Sequence, residues 1–313
     1  MELHGGNIHK LKRERGIEVL DYSANINPLG ISKKLKEKIC EKLDLLEKYP
    51  DPEYYEMKEV IAIHNKVEIK NIIVGNGATE IMFLYAKNIK PKKVLIISPT
   101  FAEYERAIKS GNSNCHINYF ELREDEDFIL NIPQLKKELE KKYDLLIICN
   151  PNNPTGKFID KVILDDLAIF CKNKSINILL DEAFIEFVEG SLAESLVEFK
   201  HKNVFIVRAL TKFFAIPGLR LGYGITYDME LKDKIESTRE PWSVNGIAEL
   251  ATKVLLEDKD YIKESENWIK EEKNFMYKKL EKISGIKPYK TETNFILVKL
   301  TTGIKVKEFR KKM

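Results

Sequence analysis

Arginine is scarce in this chain. Of 52 basic residues only eight are arginine: Arg13, Arg15, Arg106, Arg123, Arg208, Arg220, Arg239 and Arg310. Each therefore carries weight as an anion ligand, because a guanidinium grips carboxylate or phosphate through two parallel hydrogen bonds. An excess of one charge sign is also absent. The 52 basic and 49 acidic residues leave a net charge of +3 over 313 residues, which gives no nucleic-acid or membrane footprint. Cysteine is limited to Cys40, Cys115, Cys149 and Cys171. None are close in sequence and no C-x-x-C or Cys/His metal spacing occurs, so they read as isolated reduced thiols of a cytoplasmic protein. No apolar run approaches the ~20 residues of a membrane span. Residues 1–6 lack the basic-then-apolar design of a signal peptide.

What is present is alternation. Residues 1–30 are rich in turn formers and amides and read as a surface arm. Helical periodicity is expected over 31–48 and 54–67, broken between them by Tyr49-Pro50-Asp51-Pro52. From residue 72 onward, short apolar runs at 72–74, 94–97, 115–120, 145–149, 178–180, 204–207 and 221–225 alternate with helical stretches. That pattern predicts an α/β fold with a mostly parallel sheet flanked by helices. After 226 the order changes to helices at 244–257 and 261–283, a strand at 294–300 and a helix start at 306. The expected division is an arm (1–30), a large domain (31–226) and a smaller α+β C-terminal domain (227–313). The last pattern stops inside its helix, so that domain reads as truncated.

Open α/β sheets keep their chemistry beyond the carboxyl ends of their strands. Gly77-Ala78-Thr79 follows the first strand and opens a helix. Free backbone N–H groups there suit a phosphate, although a glycine turn alone is commonplace. Phe101 follows the second strand, as a ring to stack on a flat ligand or as core. Asn153 sits in a proline-bracketed loop, where an amide can meet a phenolic oxygen or simply make the turn. Asp181 ends a strand as a helix cap or a charge partner. Lys212 lies in a loop just beyond the 204–207 strand, next to Thr211. In a dry pocket such a lysine loses its proton and can form a Schiff base. Arg220 adds a guanidinium suited to phosphate. Together these are the parts list for pyridoxal 5'-phosphate, with Asp181 keeping a pyridinium nitrogen protonated.

The motifs N-P-N-N-P-T-G (150–156), D-E-A (181–183) and T-K-x-x-x-x-P-G-x-R-x-G (211–222) resemble the fold-type I aminotransferase superfamily, class I/II. Two branches act on phosphorylated amino compounds. H-G-G-N-I (4–8), D-Y-S-A-N-I-N-P-L-G (21–30), D-E-A-F-I-E-F (181–187), L-T-K-F-F-A-I-P-G-L-R-L-G-Y (210–223) and P-W-S-V-N (241–245) resemble the threonine-phosphate decarboxylase branch. That resemblance implies decarboxylation of L-threonine O-3-phosphate to (R)-1-amino-2-propanol phosphate for cobalamin biosynthesis. It implies a small phosphorylated amino acid as substrate and a homodimer. It also implies His4 and Gly5 on the substrate phosphate, Asn25 and Asn153 beside the substrate, and Tyr49 reaching the neighbour's cofactor phosphate. Phe184 stands where aminotransferases mostly carry tyrosine. A histidinol-phosphate-type aminotransferase is the second reading, and a shortened homologue that binds cofactor without turnover the third.

Two departures accompany the resemblance. Ala209 stands where relatives usually have a serine on the cofactor phosphate. A missing bond to a charged acceptor removes about 1.5–3 kcal/mol, which Thr211 is placed to offset. The family's C-terminal arginines for substrate carboxylate and phosphate have no match among the eight present.

Overall fold

The structure is a computed structural model that describes residues 5–312 apart from Asn7, Ile17 and Val19. Its centre is a seven-stranded sheet. The strands are β1 (Ile72–Gly75), β2 (Lys93–Ser98), β3 (His116–Glu121), β4 (Leu145–Cys149), β5 (Asn177–Asp181), β6 (Val204–Ala209) and β7 (Gly222–Thr226). Their spatial order is β1-β7-β6-β5-β4-β2-β3. All neighbours run parallel except β7, which is antiparallel to both β1 and β6.

The central strands are uninterrupted apolar runs because both faces are covered. Successive side chains alternate between two cores. Leu146, Ile148, Ile178, Leu180 and Ile206 enter one cluster, while Leu145, Ile147, Leu179, Phe205 and Val207 enter the other. Helices Ala78–Ile89 and Glu103–Gly111 bring Ile81, Tyr85, Tyr104 and Ile108 to the second cluster. Helices Lys33–Glu41, Tyr55–Asn65 and Lys161–Asn173 bring Leu35, Ile61 and Leu167 to the first.

The structure differs from the sequence expectations in four places. Residues 31–48 form helix Lys33–Glu41 and then a 3-10 turn, Leu43–Glu47. Lys212 lies in a short helix, Leu210–Phe213, rather than in a loop. Helix Met229–Thr238 was not expected, although Asp228 caps it by accepting from Leu231 N–H at 3.1 Å. The strand expected over 294–300 shortens to β9 (Val298–Leu300), which pairs antiparallel with β8 (Ile286–Pro288) in a separate small sheet.

Helix Met229–Thr238 places Ile235 in the second core cluster, and helix Gly246–Glu257 places Ala248, Ala251 and Leu255 in the first. Both helices follow residue 226 in the chain and pack against the clusters that cover the large sheet. No helix among the described residues is long and apolar enough to cross a membrane.

Candidate active site

The carboxyl ends of β4, β5 and β6 open into a cleft of about 460 Å³. Its walls include Gly5, Asn25, Ala78, Thr79, Phe101, Asn153, Asp181, Thr211, Lys212 and Arg220. Most of the residues singled out from sequence thus meet in one place. Gly77 stands just behind this wall, His4 lies outside the described residues, and Tyr49 is elsewhere on the surface.

Period-two alternation sets which side chains reach the cleft. Cys149, Asp181 and Val207 are register partners across β4, β5 and β6. Cys149 and Val207 belong to the core cluster on one face, so Asp181 points to that face too. The next residue on each chain, Glu182 and Arg208, turns to the opposite face. There both are fully buried and form an ion pair, with Arg208 Nε donating to Glu182 Oε2 at 2.8 Å. Ser195 Oγ donates to the same oxygen at 2.8 Å.

Asp181 is 4% exposed. Its Oδ2 accepts from Tyr104 Oη at 2.7 Å and its Oδ1 from Ala183 N–H at 2.9 Å. Burial holds the carboxyl above its ordinary range; the Tyr104 and Ala183 hydrogen bonds oppose that shift, as does the charge of Lys212. Lys212 moves the other way. Burial lowers its pKa, Arg220 lowers it further, and Asp181 opposes both. A lysine held in this way is more readily neutral and nucleophilic. Its backbone carbonyl accepts from Asn27 N–H at 3.0 Å. The Asn27 amide in turn donates to Phe213 O and to Ser265 Oγ, both at 2.8 Å, which ties the segment 23–27 to the lysine's own turn.

The phosphate-like corner is built on glycine. Gly77 precedes helix Ala78–Ile89 with φ of +86° and offers no side-chain cap to the first helical N–H groups. A Cβ on Gly77 would lie 2.6 Å from Arg220 Nη2. Only glycine lets the guanidinium approach this helix start, and a guanidinium beside free helix N–H groups can hold an anion. Gly222 on β7 is equally constrained, since its Cβ would meet Ala78 N at 2.3 Å.

In the loop after β4 the three asparagines divide their tasks. Asn150 bonds Ile159 through both side-chain atoms, at 2.7 and 2.9 Å. Asn152 bonds Thr100, Pro99 and Thr155. Asn153, with its amide not spent on the loop, lines the cleft. Phe101 and Tyr104 meet edge to face with ring centroids 5.7 Å apart. Ala209 lines the cleft without a hydroxyl, and Thr211 lies close by in the same wall.

Sequence reasoning missed Tyr104, Glu103, Arg106, Met82 and Ser23, all in the cleft wall. Tyr104 was findable, because it stands three residues after Phe101, on the first turn of the helix Glu103–Gly111 that follows the same strand. Tyr49 is 80% exposed and packs its ring on Trp242, centroids 4.7 Å apart. A larger cavity of about 640 Å³ lies between residues 186–191 and the long helix Lys259–Leu280 and holds none of the expected groups.

Comparison with known proteins gives the family. Residues 17–313 match the family model for aminotransferase class I and II. The threonine-phosphate decarboxylase of Salmonella typhimurium is 38% identical over 301 residues, which cover 95% of this chain and 81% of that protein. A bifunctional adenosylcobalamin biosynthesis protein of Leptospira interrogans is 34% identical over 95% of this chain and 34% of its own length. Among solved structures, the histidinol-phosphate aminotransferase from Clostridium acetobutylicum superposes with a TM-score of 0.86 at 37% identity. That match covers 94% of this chain and 86% of the other. The family model spans nearly the whole of this chain, which therefore belongs to the aminotransferase class I and II family.

Proposed function

We propose that this protein is a pyridoxal-phosphate-dependent decarboxylase of L-threonine O-3-phosphate that yields (R)-1-amino-2-propanol phosphate for cobalamin biosynthesis. The observation that carries the reading is the convergence of Lys212, Asp181, Asn153 and Arg220 on one cleft whose wall also contains Gly5 and Asn25 of the arm. The similarity to a threonine-phosphate decarboxylase supports the choice of substrate. Phe184 in the wall, with no hydroxyl to offer a phenolic oxygen, supports the decarboxylase branch.

The residues present fit the cofactor. The space that a Cβ on Gly77 would fill is taken by Arg220, and this corner suits a phosphate. Asp181 offers a buried carboxylate to a ring nitrogen, and Asn153 offers an amide to the ring's oxygen. Phe101 and Ala183 supply apolar walls for a flat ring. When bound, pyridoxal phosphate supplies an electron sink that accepts the bonding electrons of a group leaving the substrate's Cα.

The chain's own groups do the rest. Asp181 would keep the ring nitrogen of a bound cofactor protonated, because a cation beside it repays the burial of its charge. Lys212, its proton weakly held, would hold the cofactor and return a proton to the substrate's Cα. The cleft wall orients the substrate, and which Cα bond it presents to the bound cofactor would select between loss of CO₂ and amino transfer.

The same reading makes the protein a cytoplasmic homodimer. Leu43, Leu46, Tyr49 and Trp242 are 52%, 67%, 80% and 45% exposed, an apolar surface suited to a second copy. Tyr49 then serves the partner's cofactor phosphate. The division proposed is an arm (1–30), a large cofactor-binding domain (31–226) and a smaller C-terminal domain (227–313). Incubation of the cofactor-loaded protein with L-threonine O-3-phosphate tests the proposal. Release of CO₂ is expected, and amino transfer to 2-oxoglutarate without CO₂ would reject it in favour of the aminotransferase reading.

A further inference from the structure

We infer that Arg106 binds the substrate's phosphate monoester at the mouth of the cleft, an inference that rests on the functional reading above. Among the described residues lining the cleft, the cations are Arg106, Lys212 and Arg220. Arg220 stands against the glycine at the helix start, and Lys212 lies inside the cleft, where burial lowers its pKa. Arg106 is the remaining cation, on the first helical turns after Phe101. Its side chain is 64% exposed, as suits a group at the entrance. The phosphate is the end of the substrate remote from Cα, so it is the anion that lies farthest from Lys212.

Arg106 is also pre-oriented. Its Nη1 donates to both carboxylate oxygens of Glu103, at 3.0 and 3.1 Å, and Glu103 is only 5% exposed. One edge of the guanidinium is thereby fixed while Nε and Nη2 remain for a phosphate, the geometry in which arginine outperforms lysine. Glu103 contributes in a second way. Its carboxylate carries the same sign of charge as the ligand, and the ion pair with Arg106 offsets that charge where the guanidinium supplies its donors.

The test is equilibrium binding of L-threonine O-3-phosphate and of L-threonine to the cofactor-loaded protein, followed by the change in visible absorbance, for wild type, R106A, R106K and E103Q/R106A. R106A is expected to weaken the phosphorylated ligand about 10- to 100-fold and to leave L-threonine and the cofactor's own affinity unchanged. R106K restores part of the loss, and E103Q/R106A stays weak. Affinity within twofold of wild type in R106A, or full recovery in E103Q/R106A, overturns the inference; the latter result makes Arg106 only the neutraliser of Glu103. Because binding needs no turnover, a wild type that binds this ligand without releasing CO₂ contradicts the functional reading and leaves this one standing.

Discussion

Tyr104 Oη lies 2.7 Å from Asp181 Oδ2, with both side chains buried. The phenol donates to a carboxylate that burial pushes toward its neutral form. A hydrogen bond to a charged group is worth about 1.5–3 kcal/mol. Tyr104→Phe therefore weakens cofactor binding by about tenfold or more and raises the pKa of Asp181 further. Titration of cofactor into apoprotein checks the first effect. Affinity equal to wild type would show that Ala183 N–H alone suffices to hold the carboxylate.

Lys212 is lowered below its ordinary pKa by burial and by Arg220. The amine becomes reactive as pH rises through that lowered value, so covalent capture of the cofactor strengthens with pH well before free lysine deprotonates. Under the proposed function, Lys212→Ala removes both the covalent link and the proton carrier. The proton role alone predicts a loss of about 10²–10⁴ in rate, read as CO₂ release. Stopped-flow absorbance against pH reads the capture step, and a pH-independent rate would contradict the assignment.

On the opposite face of the sheet, Glu186 is 5% exposed, and both of its carboxylate oxygens lack a protein hydrogen bond. Burial pushes its pKa up from 4.5 to about 7, opposed by Arg208 and reinforced by Glu182. Between those values the folded chain binds more protons than the unfolded chain, so this group's contribution to stability falls as pH rises. Glu186→Gln removes that penalty. The variant is expected to exceed wild type by on the order of 2–3 kcal/mol above the raised pKa, an advantage that shrinks as pH falls from about 7 and is gone below 4.5. Urea denaturation at several pH values measures it. A gain that persists unchanged at acid pH would mean that packing, not titration, is responsible.

The sheet and the cleft were legible because each chemical group ends an apolar run. Lys212 follows Val204–Ala209 and Asp181 ends Asn177–Asp181, where a polar residue breaks the pattern. The local form around Lys212 was not legible, since four residues of helix leave no periodicity to read. Arg208 is a charge inside an apolar strand, and by strict alternation it must face away from the cleft. Glu182, one residue past Asp181, faces the same way, so their pairing follows from period two once the strand register is known. The contact between Tyr104 and Asp181 joins residues 77 apart, and only the packing of helix Glu103–Gly111 over the ends of β4 and β5 brings them together.

The central claim is that this cleft breaks the Cα–carboxylate bond of a phosphorylated amino acid. The direct measurement supplies the cofactor-loaded protein with carboxyl-labelled L-threonine O-3-phosphate and, separately, with histidinol phosphate and 2-oxoglutarate. The account predicts labelled CO₂ with one equivalent of 1-amino-2-propanol phosphate in the first mixture and no glutamate in the second. Glutamate formation without labelled CO₂ would contradict it.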